Sequence, residues 1–456
     1  MLHVTLNISV IGTGYLGATH AACMAELGFD VIGVDVDPEK IEALSRGDLP
    51  FHEPGLPELI RKHVDSGTLR FTTDMDEVGA WGDVHFIAVG TPQQPGGTGA
   101  DMTYVNAATA SLARSITTSG ALIVGKSTVP VGTAGRLYDL VKAEKNDDVE
   151  VSLAWNPEFL REGFAVQDTL RPDRLVVGTR HERDEQLLRE VYADALERET
   201  PWVSTDFETA ELVKVAANAF LATKISFINA FSEVTEAVGG NITTLADAIG
   251  FDDRIGRKFL NAGVGFGGGC LPKDIRALQT RVAELGLDHT MRFLDEMDQI
   301  NLRRRDHVVG LADEILGRDY AGTDENNSAV EGKRIAILGI TFKPLSDDVR
   351  DSPGLDIAGR LYNAGAEVSV YDPQGNFNAA KRFPRLGYVD SLTEAARGAD
   401  LVILTTEWNE FKNLVPADLA EVVAQKQLID ARNVLPAQEW EDAGWNFAQL
   451  GRRFAS

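Results

Sequence analysis

The sequence predicts an α/β protein in which two doubly wound parallel-sheet domains are joined by a long central helix. In the first 205 residues, short apolar runs alternate with stretches of helical periodicity. Residues 207–238 then carry apolar side chains at helical spacing over one uninterrupted stretch, and the alternation of apolar runs and helices restarts at residue 334. We therefore expect a helical region between two sheet domains of similar design.

Each apolar run of the N-terminal part is predicted to be a buried strand in a parallel sheet with helices on both faces. The first strand, at residues 4–11, leads through a glycine-rich turn into a helix at residues 18–27. The next strands are predicted at residues 30–34, 84–89 and 121–125. Their crossover connections are expected to be right-handed.

The middle of the chain is predicted to be helical throughout. The helix at residues 207–238 is much longer than a normal globular helix, and Gly239 and Gly240 end it. Shorter helices are predicted at residues 243–250, 273–285 and 289–316.

A polar, turn-rich segment at residues 318–332 predicts a linker before the second sheet domain. The elements of that domain are predicted as strands at residues 334–338, 367–371 and 400–404, with a helix near residues 354–364. The predicted domains are 1–205, 206–317 and 333–456, with the linker at 318–332.

The chain is strongly acidic. Its 456 residues include 69 Asp and Glu against 44 Lys and Arg, a formal net charge of -25, and only 14 of the basic residues are lysines. Binding to nucleic acid or to a membrane surface is not expected, because both require concentrated positive charge. Such a surface would suit a salt-rich cytoplasm, which screens its self-repulsion. An ordinary acidic enzyme is the alternative.

The sequence also indicates the compartment. No apolar run approaches the ~18 residues that a membrane span needs, and the first residues lack the basic region and cleavage site of a signal peptide. Cys23 and Cys270 are the two cysteines, too few for a disulfide framework in a chain of this size. We expect a cytoplasmic protein with at least one free thiol and without a metal site.

A dinucleotide site is predicted where the first strand ends. The spacing of Gly12, Gly14 and Gly17 lets backbone N–H groups approach a pyrophosphate at a helix N-terminus. Asp35 ends the second strand, where a carboxylate would accept both ribose hydroxyls of NAD and repel the extra phosphate of NADP. NAD and a Rossmann-like domain are therefore expected, with a purely structural glycine turn as the alternative.

Two further loops follow predicted strands on the same side of the sheet. Thr91 lies in the sequence Gly-Thr-Pro, and Thr128 lies in Ser-Thr-Val-Pro. Loops at the carboxyl ends of parallel strands are typical of a cofactor cleft, although ordinary turns have the same composition.

The sequence from Gly263 to Asp274 contains five glycines and places Cys270 directly before a predicted helix. A loop so rich in glycine suits close approach of backbone to a ligand. Pro272 fits the first turn of that helix, and a thiol at a helix N-terminus near Lys273 is expected to have a lowered pKa. The prediction is a reactive thiolate, and the alternative is a buried, inert cysteine.

Polar residues at helical spacing accompany this thiol. Asp274 lies four residues beyond Cys270, and Lys214 and Asn218 are four residues apart on the long helix. An inward-facing lysine and amide would stabilise an oxyanion, but a surface stripe has the same spacing. Glu158 and Glu162 could act as a base and a binding group or form a solvated helix face.

Together these motifs resemble the UDP-glucose/GDP-mannose dehydrogenases, NAD-dependent enzymes that oxidise a nucleotide-sugar alcohol to an acid. The resemblance covers nearly the whole chain. It is carried by residues 12–17, 127–133, 156–163, Lys214 with Asn218, 254–256, the Cys270 loop, Phe342 with Lys343, and 430–432. The chain departs from the family in Gly269, where relatives often have serine, in a Gly-rich 92–100 loop, and in the 318–332 insertion.

The resemblance implies an N-terminal NAD domain, a dimer core built on the long helix and a C-terminal domain that binds the UDP portion. It implies a homodimer or higher homo-oligomer with a UDP-sugar as substrate. The reaction implied is a four-electron oxidation of UDP-glucose to UDP-glucuronate through a thiohemiacetal and a thioester on Cys270, with two NADH per acid. GDP-mannose and UDP-N-acetyl-mannosamine are alternative substrates, and a sugar-nucleotide sensor without catalysis is the non-enzymatic alternative.

The family's roles carry over to matching positions in this sequence. Catalytic roles fall on Cys270, Lys214, Asn218, Asp274 and Glu158. Cofactor contacts fall on Gly12, Gly14, Tyr15, Leu16, Gly17, Asp35, Lys40, Thr91, Thr128, Glu162, Lys273 and Arg350. Substrate contacts fall on Glu158, Phe159, Leu160, Lys214, Asn218, Arg254, Phe266, Gly267, Phe342, Lys343 and Arg432, with Arg254 reaching the neighbouring subunit's site and Glu162 also aligning with a substrate position.

Overall fold

The structure is a computed structural model that describes residues 6–317 and 328–454. Most of the linker predicted at 318–332 lies outside the described residues. The chain divides into two compact units, Met1–Ala217 with Arg276–Gly286 and Asn218–Ile275 with Leu287–Ser456. The domain boundaries drawn from the sequence stay a prediction.

The first unit contains an eight-stranded sheet. Its strands are β1 (Asn7–Ile11), β2 (Asp30–Val34), β3 (Leu69–Thr72), β4 (Val84–Ile87), β5 (Ala121–Gly125), β6 (Val151–Trp155), β7 (Leu175–Gly178) and β8 (Trp202–Thr205). Their order is β3-β2-β1-β4-β5-β6-β7-β8. The predicted parallel sheet is confirmed from β3 to β6, but β7 pairs antiparallel with β6.

Helices flank this sheet. They are α1 (Tyr15–Glu26), α2 (Pro38–Ser45), α3 (Leu56–Ser66), α4 (Met75–Trp81), α5 (Thr103–Ser115), α6 (Thr133–Glu144), α7 (Ala165–Leu170), α8 (Glu182–Val191) and α9 (Ala193–Glu197). The first helix starts at Tyr15, three residues before the predicted start. Gly17 therefore lies in its first turn, where a Cβ would collide with the carbonyl oxygen of Gly12.

The middle of the chain contains α10 (Phe207–Val238), α11 (Ile242–Gly250), α12 (Leu271–Glu284), a 3₁₀ turn (Asp288–Met291) and α13 (Phe293–Ile315). Helix α10 has the predicted bounds and ends at Gly239, whose φ is +78°. The helical segment predicted at 289–316 is divided in the structure into this 3₁₀ turn and α13. Local sequence does not distinguish the two, since 3₁₀ turns commonly adjoin α-helix ends.

Helices α10 and α13 are joined in the second unit by buried polar contacts. The guanidinium of Arg304 donates to Ser232 and Glu236, and Glu236 also accepts from the Gly451 N–H at 2.6 Å. Burial alone would raise the pKa of Glu236, but His307 and Arg304 lower it to about 2. The carboxylate therefore ties two helices to the C-terminal segment.

The second sheet repeats the topology of the first. Its strands are β9 (Arg334–Leu338), β10 (Glu367–Tyr371), β11 (Gly387–Tyr388), β12 (Leu401–Leu404), β13 (Gln427–Asp430) and β14 (Asn446–Gln449). Their order, β11-β10-β9-β12-β13-β14, is that of β3 to β6. The helices of this part are α14 (Pro353–Asn363), α15 (Asn376–Arg382), α16 (Leu392–Ala396), α17 (Asn409–Lys412), α18 (Pro416–Ala420) and α19 (Ala437–Asp442). The predicted pair of Rossmann-like sheets is confirmed.

None of the helices in residues 6–317 and 328–454 is long and apolar enough to cross a membrane.

Candidate active site

The predicted site residues lie in loops at the carboxyl ends of strands, in the loop between α11 and α12, and on helices α1, α2, α10 and α12. In the first unit, Gly12, Gly14, Tyr15, Leu16 and Gly17 surround the start of α1; Asp35 and Lys40 follow β2; Thr91 follows β4; Thr128 follows β5; Glu158, Phe159, Leu160 and Glu162 follow β6; Lys214 lies on α10. In the second unit, Asn218 lies on α10; Arg254 follows α11; Phe266, Gly267 and Cys270 precede α12; Lys273 and Asp274 begin it; Phe342, Lys343 and Arg350 follow β9; Arg432 follows β13. Ligands of open parallel sheets bind at these strand ends.

The glycine turn and Asp35 fit a dinucleotide. Gly12 has a φ of +89°, and the Cβ position of Gly14 faces open space. Asp35 accepts from the Thr13 N–H and from the Lys40 ammonium, each at 2.8 Å. Burial alone would raise the pKa of Asp35, but Lys40 and the Thr13 N–H lower it, so the carboxylate is ionised for a ribose.

The corresponding carboxylate of the second sheet accepts its hydrogen bonds from groups of the protein itself. Asp372 follows β10 as Asp35 follows β2, but it is buried and accepts from the N–H groups of Ile340 and Thr341 and from the Trp408 indole. Asp35 is partly exposed. The two sheets therefore share a topology without sharing a ribose acceptor.

Glu53 was not predicted and holds two parts of the first unit together. Its buried carboxylate accepts from the Tyr15 hydroxyl and from the N–H groups of Gly163 and Ala165 at 2.6 and 2.7 Å. Burial and Glu53 raise the pKa of Tyr15, so the phenol stays neutral. The start of α1 is thereby fixed to the loop that carries Glu162. In the sequence, a glutamate before Pro54 is indistinguishable from a surface turn residue.

Hydroxyl groups join the loops after β4 and β5. The Thr91 hydroxyl donates to the Thr128 carbonyl at 2.8 Å, and the Ser127 hydroxyl donates to the Val89 carbonyl at 2.6 Å. The two predicted cofactor loops are therefore held beside each other at the end of the sheet.

Glu211 is a second carboxylate that sequence reasoning missed. It projects from α10 and accepts from the N–H groups of Gly132 and Ala134 at the start of α6, both at 2.6 Å. Burial raises its pKa to about 7. Helix α10 is thus fixed to the loop after β5, one turn before Lys214.

The loop after β6 places Glu158 and Phe159 among cations. The Leu160 N–H donates to the Glu158 carboxylate, and the Lys126 ammonium lies 3.7 Å from its other oxygen. The ring of Phe159 lies 5.5 Å from the Lys214 ammonium and 4.0 Å from the Arg174 guanidinium. The alternative of a solvated helix face does not fit Glu158, because residues 156–163 precede α7 and are not helical.

Cys270 is exposed at the N-terminus of α12. Its carbonyl accepts from the Asp274 N–H at 2.9 Å and so closes the first turn of the helix. The alternative of a buried, inert cysteine is wrong for this thiol, whereas Cys23 is buried in α1. Both cysteines carry thiols rather than a disulfide.

The glycine-rich loop before Cys270 is fixed by polar contacts within the second unit. Asn301 on α13 both accepts from the Phe266 N–H and donates to its carbonyl, at 2.7 and 3.0 Å. A Cβ at Gly268 would lie 2.8 Å from the Phe342 ring, and one at Gly269 would collide with the Arg350 guanidinium. The glycines therefore permit close packing in addition to turns.

Buried polar side chains surround the start of α12. Asn218 donates from its amide nitrogen to Asp274 Oδ2 at 2.7 Å, and the Lys273 ammonium lies 2.8 Å from Asp274 Oδ1. Lys214 and Asn218 are only 8% and 7% exposed, so the alternative of a surface stripe is wrong. Helix α10 thus presents a buried lysine and a buried amide one turn apart.

The predicted UDP-side residues are only partly brought together. Arg432 donates to the carbonyls of Thr405, Gly265 and Phe342 at 2.7, 3.2 and 3.1 Å, which joins the Cys270 loop to the second sheet. The Lys343 ammonium lies 5.5 Å from the Phe342 ring. Arg254 stands apart, with a side chain 89% exposed and paired with Asp252.

No group of three His, Cys, Asp or Glu side chains in the described part of the chain is placed to hold a metal ion.

Family models match three successive parts of the chain. The models are the NAD binding domain at residues 6–196, the central domain at residues 208–303 and the UDP binding domain at residues 336–437 of the UDP-glucose/GDP-mannose dehydrogenase family. The chain belongs to this family. The part of the chain that matches the NAD binding domain contains the glycine turn and Asp35, which confirms NAD as the predicted cofactor. The part that matches the central domain contains Cys270.

Similar proteins support the family assignment along the whole chain. UDP-glucose 6-dehydrogenase from Rhizobium meliloti (strain 1021) is 41% identical over 452 residues, 98% of this chain and 100% of the relative. UDP-glucose 6-dehydrogenase TuaD from Bacillus subtilis (strain 168) is 37% identical over 98% of this chain and 93% of its own. The solved structure of a UDP-glucose dehydrogenase from Pyrobaculum islandicum has a TM-score of 0.88 and 35% identity, with 98% of each chain covered.

Proposed function

We propose that this chain oxidises UDP-glucose to UDP-glucuronate, with Cys270 as covalent nucleophile. The observation that carries the proposal is an exposed thiol at the N-terminus of α12, followed within one turn by a buried Asp274 that is bonded to Asn218. When bound by the glycine turn and Asp35, NAD accepts one hydride in each of the two oxidations.

The residues of the chain supply the remaining chemistry. Cys270 attacks the aldehyde carbon to form a thiohemiacetal, and the thioester that follows the second oxidation is hydrolysed to the acid and the free thiol. Lys214 and Asn218 stabilise the oxyanion that appears in both additions, because preorganised buried donors need no reorganisation. Glu158 accepts the proton of the attacking water. Asp274 orients Asn218.

UDP-glucose is favoured over other sugar nucleotides. The full-length relatives at 37–41% identity are named UDP-glucose 6-dehydrogenases. A structure of similar fold from Pyrococcus horikoshii, named UDP-D-ManNAc dehydrogenase, is 26% identical. We assign the UDP portion to Phe342, Lys343 and Arg432, which lie in the family's UDP binding domain.

The number of NADH molecules per acid tests both substrate and mechanism. With UDP-glucose we expect two NADH per UDP-glucuronate, and kcat/KM at least about tenfold above that for GDP-mannose or UDP-N-acetyl-mannosamine, since sugar contacts differ by a few kcal/mol. NADH is followed by absorbance and the acid by chromatography. One NADH with released aldehyde would contradict the thioester cycle, preference for another sugar would contradict the substrate, and no NADH at all would favour a sensor.

We further propose that the protein is a homodimer whose contact is one face of α10. Exposed apolar residues recur along that helix at spacings of seven, four, three and four, which places them on a single face: Phe220, Phe227, Phe231, Val234 and Val238. An apolar face of this length is typical of a protein interface. We place Arg254, exposed in one chain, at the neighbouring subunit's site.

The double substitution Phe227→Asp with Phe231→Asp is expected to give monomers. These rings pack at 4.8 Å from each other on the exposed face, and two carboxylates there would oppose burial against a partner. Light scattering coupled to size exclusion measures the mass. Phe377→Asp is the control, because this ring is 73% exposed on α15. An unchanged mass in the double variant, or a monomeric parent, would refute the interface.

We also propose that the enzyme works in the cytoplasm. A nucleophilic Cys270 must remain a thiol, and reducing compartments maintain thiols.

A further inference from the structure

A buried ammonium lies beneath the loop that carries Glu158. Lys126 directly follows β5 and is 5% exposed. Its Nζ donates to the Asn156 side-chain oxygen at 3.0 Å and to the Tyr192 hydroxyl at 3.3 Å, and lies 3.7 Å from Glu158 Oε2. The proposed reaction gives this lysine no chemical step. Lysine is rarely buried unless it is paired with an opposite charge. The burial of Lys126 beside Glu158 therefore indicates that the lysine has a function there.

Lys126 keeps its charge despite its burial. Desolvation alone would lower the pKa of Lys126, but the hydrogen bond to the Tyr192 hydroxyl and the nearby Glu158 carboxylate outweigh it, so the pKa is raised. The rings of Phe86 and Tyr192 lie 5.7 and 5.8 Å from the ammonium and add favourable cation–π contacts. The lysine is therefore a fixed positive charge across the physiological range of pH.

The other titratable groups of this cluster are neutral. Burial, with Lys126 nearby, lowers the pKa of His20 on α1, and both ring nitrogens of His20 are buried without a partner. Burial raises the pKa of Cys23 on α1 and of Tyr192 between α8 and α9. The charges that remain in the cluster are thus the Lys126 ammonium and the Glu158 carboxylate.

The contacts also orient the carboxylate. The Leu160 N–H donates to one oxygen of Glu158, while Lys126 lies on the side of the other. The ammonium is held by Asn156, whose amide nitrogen donates to the Val176 carbonyl at 2.9 Å and whose oxygen also accepts from Tyr192 at 2.7 Å. A separation of 3.7 Å exceeds a hydrogen bond, so Lys126 acts on Glu158 mainly through its charge.

We propose that Lys126 is a positioning residue for Glu158, whose carboxylate it holds aligned for the hydrolytic step of the reaction. This inference rests on the proposed function, in which Glu158 takes the proton of the attacking water. The described contacts of the Lys126 ammonium are with protein groups, so it acts through Glu158. Its loss should slow hydrolysis of the thioester and leave the two oxidations that precede hydrolysis in place.

Lys126→Met removes the charge and retains much of the side-chain length. In rapid-mixing experiments we expect the first two NADH per active site to form at a rate within about threefold of the parent's. Steady-state release of UDP-glucuronate at neutral pH should fall on the order of 10- to 100-fold, the range of a compromised general base. Intact-protein mass spectrometry after acid quench should show an acyl adduct on Cys270 accumulating.

The ratio of burst rate to steady-state rate separates this role from a purely structural one. This ratio should rise on the order of 10-fold or more in Lys126→Met, because only the hydrolytic step uses the carboxylate that the ammonium faces. Lys126→Gln should show the same rise although it can still donate to Asn156, since it lacks the charge. Tyr192→Phe removes a neutral partner and retains the ammonium, so its ratio should stay at the parent's value.

A double substitution completes the test. In a Glu158→Gln background, Lys126→Met should cause no further loss of turnover, because the carboxylate on which the ammonium acts is gone. An unchanged ratio of burst to steady-state rate in both Lys126 variants, or additive losses with Glu158→Gln, would overturn the inference. Failure of the proposed function would appear separately, in the parent enzyme, as fewer than two NADH per acid or no Cys270 adduct.

Discussion

Cys270→Ser is expected to bind NAD and UDP-glucose as the parent does and to release UDP-glucuronate at least on the order of 10³-fold more slowly, the scale of losing a covalent nucleophile. The thiol sits exposed at the N-terminus of α12, where a thiolate is stabilised and a serine hydroxyl stays protonated. Serine preserves the backbone and nearly the side-chain volume. The measurements are equilibrium titration of both ligands and steady-state formation of the acid.

Cys23→Ala is the matched control. Cys23 is the other cysteine and is buried in α1, where burial raises the pKa of its thiol and keeps it unreactive. Its removal should cost stability of about 1 kcal/mol and leave turnover near the parent's. Alkylation by iodoacetamide should inactivate the parent and Cys23→Ala alike. Turnover of Cys270→Ser at the parental rate would end the assignment of the nucleophile.

The elements that were predicted correctly from the sequence are those whose residue pattern lies within a single stretch of the chain. Strand β5 and helix α10 have the predicted bounds because uninterrupted apolar runs and long helical periodicity need no tertiary information. The antiparallel pairing of β7 was missed, since it depends on a single register contact, between Trp155 and Gly178. A run of apolar residues carries no information about the direction of its neighbour in the sheet.

The site was predictable where reacting groups lie within a helical turn of one another. The four-residue spacing in the sequence was enough to predict two pairs, Cys270 with Asp274 and Lys214 with Asn218. Glu53 and Lys126 do not, because their partners lie far away in the chain: Gly163 is 110 residues from Glu53, and Asn156 is 30 residues from Lys126. Residues that hold others in place through backbone N–H groups or buried charges require the folded structure.

Lys214→Met is expected to lower kcat by about 10²- to 10³-fold, the cost of removing one preorganised donor from an oxyanion site. Lys214 is buried on α10 and its ammonium lies over Phe159 in the loop of Glu158, so its charge is poorly replaced by water. Methionine keeps the aliphatic stem packed. KM for UDP-glucose should change far less than kcat, because the charge is needed when the oxyanion forms rather than when the substrate binds.

Asn218→Ala distinguishes the second donor from the first. It also removes the 2.7 Å bond to Asp274, whose buried carboxylate then lacks its amide partner, so we expect a stability loss of about 1 to 3 kcal/mol together with the loss in kcat. Lys214→Met lacks this penalty, because the described contact of the Lys214 ammonium is with the Phe159 ring and its removal leaves no buried carboxylate without a donor in the first unit. Thermal unfolding and steady-state kinetics of both variants therefore separate catalysis from folding.

Lys142→Met is the control for charge removal, because Lys142 is exposed on α6 and contacts only the Tyr138 ring among the described aromatic groups. It should retain kcat within about twofold, as surface charges contribute little. The decisive comparison is between the variants: if Lys214→Met behaves like Lys142→Met, the oxyanion is stabilised elsewhere. If instead it raises KM and leaves kcat unchanged, Lys214 binds the sugar uniformly and does not act on the transition state.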